Sequence, residues 1–306
     1  MEKREQYTPE EREKRITDVT LTGSATNLFL TAFKIFAGIV GRSSAMIADG
    51  IHSASDLLSD IVVIVFVRIS SRKEDKGHDF GHGKFETLAT LIVSLMLFTA
   101  GFGIMTGGIK SIISIFKGNS VASPSYLALA AAIISIVSKE VLYRYTKKAG
   151  DEMNSPVVVA NAWHHRSDAL SSIGSLAGIG TAMLFGNKWS VADPIASCLI
   201  SIMIFWVAIK MSIPAINDLL ECSLPDETEN DIVRIASEVP GVRNIHSLKT
   251  RRNGPAIIME AHIVVDPGMT VMKAHDIATD VENAIMEKYG RDTHISIHIE
   301  PDENSE

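Results

Sequence analysis

Long apolar stretches alternate with short polar ones over most of the chain. Six of the apolar stretches have the ~20 residues that a helix needs to cross about 30 Å of hydrocarbon. These predicted spans are Val19–Val40, Ala45–Val67, Phe85–Ile104, Tyr126–Leu142, Val157–Phe185 and Val191–Ile213. The pattern therefore predicts a six-helix transmembrane domain over residues 19–215, preceded by a short solvated arm over residues 1–18.

The pattern changes after the sixth span, where apolar residues follow shorter and more regular periods. Asp226–Val239 and Val271–Tyr289 each place apolar residues on one side of an amphipathic helix. Two strands joined by a turn at Asn253–Pro255 lie between these helices, and His294–Glu300 alternates as a last strand. The order αββαβ predicts a C-terminal, ferredoxin-like α+β domain over residues 216–306, with its helices on one face of the sheet.

Ionisable side chains occur in pairs at two points inside the predicted spans. Such groups cost several kcal/mol at bilayer depth unless water or a partner compensates them, which favours a functional role. His52 and Asp56 are four residues apart in the second span, as are His164 and Asp168 in the fifth, so each pair shares a helix face. Two nitrogens and two oxygens form a tetrahedral ligand set that suits zinc. His165 lies three residues before Asp168, so either histidine can pair with this aspartate.

Two further groups of metal-ligand side chains lie outside the spans. The first is in a glycine-rich loop between the second and third spans, where the alternative is a polar turn without metal. The second is on the outward face of the tail's strands, where the alternative is a solvated surface. The loop group is Asp75, His78 and His82, and the tail group is His246, His262, His298 and Glu300.

Charge and cysteine content narrow the functional classes. The net charge of −7 argues against nucleic acid as a partner. The 2 cysteines form neither a disulfide framework nor a CxxC metal motif. No apolar signal sequence opens the chain, so we expect the first span to direct insertion. Basic residues gather in the arm and in the loops after the second and fourth spans. This bias predicts a multi-pass protein of the inner or plasma membrane with both termini in the cytoplasm.

These features together resemble the cation diffusion facilitator family. The resemblance rests on the paired His-xxx-Asp motifs, the loop Gly77–Lys84, the motif Asp193–Pro194 and the histidine-bearing tail, and it covers nearly the whole chain. It implies a homodimeric, proton-coupled exporter of divalent metal in the lipid bilayer. It also selects His164 as the partner of Asp168. The loop and tail groups match the family's loop and tail metal sites, with His275 near the tail site.

The resemblance carries two further expectations. Lys84 and Glu221 match a pair that links the start of the third span to the membrane–tail junction between protomers. Some bacterial relatives have Asp where His52 stands and accept cadmium or iron more broadly, whereas His at this position resembles the zinc-preferring members. We therefore expect Zn²⁺ as the transported and regulatory ion, with Cd²⁺, Fe²⁺, Mn²⁺ and Co²⁺ as alternatives.

Two other functional classes stay open on the sequence alone. A membrane metal sensor or scaffold that does not transport would use the same ligands, and only a flux measurement separates it from an exporter. An intramembrane metalloprotease would also use His and Asp ligands. A catalytic zinc keeps an open coordination position, commonly beside an HExxH motif, and this motif does not occur in the sequence. The closed four-ligand set favours binding and release over catalysis.

Overall fold

The computed structural model describes residues 7–40, 44–117, 126–185 and 192–302. These residues form two compact units, one of Met1–Arg72 with Phe85–Ala215 and one of Lys73–Lys84 with Ile216–Glu306. The helices are α1 (Pro9–Val40), α2 (Ser44–Ser70), α3 (Lys84–Phe116), α4 (Tyr126–Glu152), α5 (Pro156–Phe185), α6 (Ala192–Leu219), α7 (Asp226–Ser237) and α8 (Val271–Tyr289). The strands are β1 (Asn244–Asn253), β2 (Ala256–Val265) and β3 (His294–Pro301).

Helices α1 to α6 correspond one by one to the six predicted spans and are long enough to cross a bilayer. Large apolar side chains such as Phe29, Phe102 and Trp206 point outward, as lipid-facing residues do. Within the described residues, two segments, Lys84–Phe116 and Ser201–Leu219, are both long enough and apolar enough to cross a membrane. The other helices combine their apolar residues with buried polar groups.

The first helix begins at Pro9, ten residues before the predicted span, so the arm is helical over residues 9–18. Ile16 is fully buried there. Arg12 donates two hydrogen bonds of 2.8 Å to the buried Glu86 carboxylate of α3 and one of 2.7 Å to the Met153 carbonyl. A bidentate arginine–carboxylate pair of this kind is strong and directional. These contacts hold the polar start of α1 against the neighbouring helices.

The helices of the first unit pack so that α1 contacts α2 and α4, while α5 contacts α4 and α2. Val63, Val67, Val93 and Val157 form part of a fully buried apolar cluster among them. Further along the same helices, polar side chains of α1, α2, α4 and α5 are brought together inside the unit. This packing places ionisable side chains from different helices close to one another.

The second unit has the predicted order αββαβ. Its sheet runs β1-β2-β3, with β1 antiparallel and β3 parallel to β2. Ile232 of α7 and Val281 of α8 join Met259 and Ile263 of β2 in a buried core. The alternating isoleucines of β3 pack against this core, as the period-two pattern predicts. The outward face of the sheet is left for polar side chains.

The loop of residues 73–84 belongs to the second unit, whereas the sequence placed it in the domain of residues 19–215. Two glycines bring the loop against the β1–β2 turn. A Cβ on Gly83 would lie 2.3 Å from the Asn253 carbonyl oxygen, and Gly254 has φ +61° with its Cβ position 2.5 Å from the Gly83 carbonyl. Asn253 Nδ2 also donates to the Phe80 carbonyl oxygen at 2.5 Å. Only glycine permits so close an approach of two backbones.

Candidate metal centres

The membrane unit contains one half of the predicted four-ligand site within the described residues. His164 and Asp168 lie on α5, and His164 is buried. The side chains of His52 and Asp56, and those of the Asp193–Pro194 motif, lie outside the described part of the chain. The structure therefore reports the surroundings of the α5 pair and leaves the α2 pair as a sequence prediction.

Asp168 has a partner that the sequence interpretation passed over. Its Oδ2 accepts a hydrogen bond from Lys139 Nζ of α4 at 3.0 Å. The Lys139 side chain is 1% exposed and that of Asp168 is 13% exposed. Water has little access to this pair, and each member contributes to the compensation of the other.

A second buried carboxylate, Asp60 of α2, was also missed by the sequence interpretation. It accepts hydrogen bonds from Asn161 Nδ2 at 2.7 Å, Ser24 Oγ at 3.0 Å and Asn27 Nδ2 at 3.3 Å. His165 Nε2 lies 3.8 Å from its Oδ1. His165 is thus a neighbour of Asp60 across the α2–α5 contact. The spacing from Asp56 to Asp60, one helical turn, was the available signal.

The loop group brings its three predicted residues together. Asp75 Oδ1 accepts the backbone N–H groups of Gly77 at 2.8 Å and His78 at 2.9 Å, which folds the loop into a tight turn. Asp75 Oδ1 lies 3.3 Å from His78 Nδ1, and Asp75 Oδ2 lies 3.3 Å from His82 Nε2. One ligand atom from each residue lies within 4.8 Å of the others, a suitable spread for one cation.

Hydrogen bonds lower the pKa of the carboxyl group in this loop group. The N–H of Gly77 is the main reason that the pKa of Asp75 lies below its usual value, and His78 and His82 lower it further. The carboxylate is therefore kept ionised, the form that binds metal. Asp75 and His78 are exposed whereas His82 is buried, so the group opens to solvent on one side.

The tail group is built by strand register. His246 of β1 pairs directly with His262 of β2, and His262 pairs directly with His298 of β3. Side chains in register lie side by side on one sheet face, so the three imidazoles form a row. The ring centroids are 5.3 Å apart for His246–His262 and 4.7 Å apart for His262–His298.

Glu300 closes the tail group from the same face of β3. Its Oε1 lies 2.8 Å from His262 Nδ1, and its Oε2 lies 3.0 Å from His246 Nε2. These contacts hold the pKa of Glu300 below its usual value, with the His262 bond as the largest cause. His246, His262 and Glu300 each offer an atom within 4.8 Å of the others. His298 Nε2 lies 3.8 Å from Glu300 Oε1 and is more exposed, so it borders this group.

Two local features refine the tail group. The β1–β2 register shifts between His246 and Lys249, and Ser247 adopts φ +53° there. Bulges of this kind re-aim side chains beside functional sites, and Ser247 Oγ lies 3.0 Å from His246 Nδ1. His275 is exposed on α8 and belongs to none of the ligand groups found among the described residues.

The pair of Lys84 and Glu221 forms within a single chain, inside the second unit. The resemblance led us to expect this pair at a junction between protomers. Glu221, with φ +63°, also accepts Arg251 Nη1 at 2.9 Å, so its carboxylate joins the start of α3 to strand β1. Partial burial, followed by the charge of Arg251, lowers the pKa of Lys84.

Comparisons with known proteins cover both units. The family model described as the cation efflux transmembrane domain matches residues 20–220, and the model described as the cation efflux protein, cytoplasmic domain, matches residues 224–302. The manganese efflux system protein MneP of Bacillus subtilis (strain 168) is 35% identical over 295 residues, which cover 95% of this chain and 98% of that protein.

Two other relatives extend the comparison to different organisms. Metal tolerance protein C1 of Arabidopsis thaliana is 35% identical over 290 residues, covering 91% of this chain and 61% of that protein. The magnetosome protein MamB of Magnetospira sp. (strain QH-2) is 32% identical over 273 residues, covering 89% of this chain and 91% of that protein.

Proposed function

Because the chain belongs to the cation efflux family of membrane metal transporters, the cation diffusion facilitators, we propose that it exports divalent metal, chiefly Zn²⁺, in exchange for protons. Members of the family are transporters, so the chain is not an enzyme. The observation that carries the proposal is the group of ionisable side chains enclosed between otherwise apolar helices, in which Asp168 of α5 pairs with the buried Lys139. Burial of such groups in a membrane is costly and marks an ion pathway.

In this proposal four side chains hold the transported ion, and they are His52, Asp56, His164 and Asp168. Imidazole nitrogens suit zinc better than the harder divalent metals, which prefer oxygen ligands, and two carboxylates supply the balancing charge. Asp60 lies one helical turn beyond Asp56 on α2, and His165, next to His164 on α5, lies 3.8 Å from its carboxylate. These two residues form the next polar group in the pathway. Rocking of the helices would expose the ligand set to each side of the membrane in turn.

Proton exchange follows from the chemistry of the ligands. Zinc requires neutral imidazoles and ionised carboxylates, so a proton that reaches the ligand set competes with the metal. Protons entering from outside the cell then favour release of metal on that side. Manganese is the second candidate cargo, because the relative MneP is named a manganese efflux system protein. Manganese prefers oxygen ligands, and the two aspartates would supply them.

The proposal also covers how the protein is oriented in the membrane, how two chains assemble and how metal regulates transport. Both termini lie in the cytoplasm, as the distribution of basic residues predicts. The transport domain covers residues 19–215 and the cytoplasmic domain covers residues 216–306. Two chains pair through the cytoplasmic domains, which the family match to residues 224–302 supports. The loop and tail groups bind cytoplasmic metal and adjust transport to its supply.

Flux into proteoliposomes tests the proposal. We expect Zn²⁺ uptake that accelerates when an outward proton gradient is imposed, and a parallel assay with Mn²⁺ ranks the two metals. Equal rates with and without the gradient would exclude proton coupling. Tight metal binding with no flux of either ion would instead identify a sensor or scaffold.

A further inference from the structure

We propose that Ser247 is a positioning residue of the tail group, which places His246 beside the other ligands and holds its Nε2 atom in the orientation that binds metal. Ser247 follows His246 in the bulge of β1. It is not one of the predicted ligands and acts only through His246. The inference rests on the proposed function, because it assumes that His246, His262 and Glu300 bind cytoplasmic metal.

The bulge decides on which face of the sheet His246 lies. Thr250 lies on the core side of β1, where its Oγ1 donates to Glu229 of α7 at 2.6 Å. Ile245, five positions earlier, also packs into the core. Residues an odd number of positions apart fall on opposite faces of a regular strand, so an extra residue must lie between these two. Without that residue, His246 would share the core side with Thr250, because a slip of one position exchanges the two faces.

Ser247 is part of this extra turn of the backbone. Two residues of β1, Ser247 and Leu248, lie between His246 and the next paired position, whereas β2 has one residue at this point. Ser247 has φ +53°, in the left-handed region that residues other than Gly and Asn seldom adopt. Such a conformation costs free energy, and residues that keep it cluster at functional sites. The bulge therefore carries His246 to the outward face at the expense of local strain.

The hydroxyl of Ser247 also fixes the ring of His246. Ser247 Oγ lies 3.0 Å from His246 Nδ1, while the opposite ring nitrogen, Nε2, lies 3.0 Å from Glu300 Oε2. Both nitrogens thus have a partner, and Nε2 is the one that faces the other ligands. A histidine that binds metal commonly donates its second N–H to a neighbouring group, which sets the orientation of the ring. Ser247 occupies the place of that neighbouring group.

A hydroxyl suits both tautomers of this imidazole. In the metal-free group, Nε2–H of His246 donates to Glu300, and the hydroxyl of Ser247 donates to Nδ1. Metal binding requires the lone pair of Nε2, so the ring proton is then on Nδ1 and Ser247 Oγ accepts it. Rotation about one C–O bond serves both arrangements. Ser247 therefore stabilises His246 before and after the metal binds.

Zinc titration and thermal unfolding of the full-length protein in detergent test this role. Ser247→Gly removes the hydroxyl but suits positive φ, so we expect the metal-free Tm to be no lower than that of wild type. Zinc binding at the tail group should nevertheless weaken about tenfold. Ser247→Asn is the matched control, because Asn also tolerates positive φ and offers both a donor and an acceptor. Its zinc Kd should stay within about threefold of wild type, below the cost of losing a supporting partner.

Two further variants assign the measured change to the tail group. The tail's share of the titration is the zinc binding that Glu300→Gln removes, and Ser247→Gly should cause no further loss in a His246→Ala background. Equal zinc affinity of Ser247→Gly and wild type would overturn the inference. A loss of affinity that Ser247→Asn shares, or that accompanies a lower metal-free Tm, would overturn it as well. A wild-type titration that Glu300→Gln leaves unchanged would instead refute the proposed tail site.

Discussion

The membrane unit and the tail use the same chemical groups in opposite surroundings. The buried cluster of the membrane unit includes Asp168 and Lys139, and the open cluster is the tail group with Glu300, His246 and His262. In the membrane unit, Asp168 is 13% exposed and paired with Lys139, which is 1% exposed. In the tail, Glu300 is 33% exposed and is held by His262 and His246, whose side chains are 37% and 40% exposed. The same ligand types therefore have different neighbours, a buried lysine in one region and solvent-exposed histidines in the other.

This difference separates transport from sensing. Exchange at the buried cluster requires groups to move inside a packed, low-dielectric interior, so we expect it to depend on conformational change. Exchange at the tail requires only loss of water and protons from groups that already face solvent. If the proposed function is correct, the tail follows the cytoplasmic concentration of metal, whereas the buried cluster belongs to the ion pathway.

The sharpest test of this contrast removes one carboxylate from each region. Asp168→Asn should lower zinc flux at least about a hundredfold, because loss of a ligand exceeds the 10–100-fold cost typical of removing a supporting group. The matched change Glu300→Gln should keep most of the flux at high zinc and lose the response to zinc concentration. Zinc-65 uptake into proteoliposomes measures both. Equal losses in the two variants would abolish the distinction between the regions.

Metal binding to the tail should appear as added stability in a fragment of residues 216–306, which contains its own buried core. A ligand at a hundredfold excess over its Kd stabilises the folded state by about 2.7 kcal/mol. Glu300→Gln should lose most of the zinc-induced rise in Tm, and His298→Ala should lose less because His298 borders the group. Thermal unfolding with and without zinc measures these shifts. An equal zinc response in Glu300→Gln and wild type would show that the open cluster is only a solvated surface.

Stability near Gly254 tests whether backbone packing supports the loop group. Gly254→Ala combines positive φ with a clash against the Gly83 carbonyl, and should destabilise the second unit by about 1–3 kcal/mol. Gly290→Ala is the matched control, because Gly290 also has positive φ but no neighbour within 4 Å of the added Cβ. Thermal unfolding of the full-length protein compares the two. Zinc binding by Asp75, His78 and His82 should weaken only in Gly254→Ala.

The pH dependence of the metal-free tail fragment gives a smaller effect with a defined sign. The pKa of Glu300 is lower in the folded protein than in the unfolded chain, with His262 as the main cause. Its stabilising contribution is therefore complete above the ordinary glutamate pKa of about 4.3 and is lost as pH falls through the lower folded value. Urea unfolding should show less acid sensitivity in Glu300→Gln than in wild type. An identical slope below pH 4.3 would contradict the assignment.

The smallest effect is expected at the pair of Lys84 and Glu221. Both side chains are more than a third exposed, and Arg251 also contacts Glu221. Exposed pairs contribute about 0–1 kcal/mol, so Lys84→Gln should change the free energy of unfolding by no more than about 0.5 kcal/mol. Thermal unfolding of the full-length protein measures this difference. A loss of several kcal/mol would mean that the pair is buried in an assembly of two chains.

The tail shows what sequence periodicity can predict. Strict alternation in β3 placed Ile297 toward the core and His298 and Glu300 on the other face, because successive side chains of a strand point to opposite sides. Alternation does not specify which residues of neighbouring strands pair. The direct pairing of His246 with His262 depends on the bulge at Ser247, whose backbone angle leaves no mark in the sequence pattern.

The membrane unit shows the complementary limit. The lengths of the apolar stretches predicted six helices, and the four-residue spacings predicted the ligand pairs. Lys139 and Asp60 were visible as isolated charges, but their partners come from other helices, and Asp168 lies 29 residues beyond Lys139. Spacing rules apply within one helix, whereas helix contacts are set by packing. The contact of Arg12 with Glu86 across 74 residues could not be predicted for the same reason.

The contacts of Arg12 have a consequence for biogenesis. Its carboxylate partner Glu86 lies 74 residues downstream and its carbonyl partner Met153 lies 141 residues downstream. At a synthesis rate of about 5–20 residues per second, several seconds pass before the first partner emerges, and roughly twice as long before the second. The start of α1 therefore reaches its final position only after α3 and α4 have been made. The contacts that fix Arg12 can thus form only after the later helices of the bundle have been made.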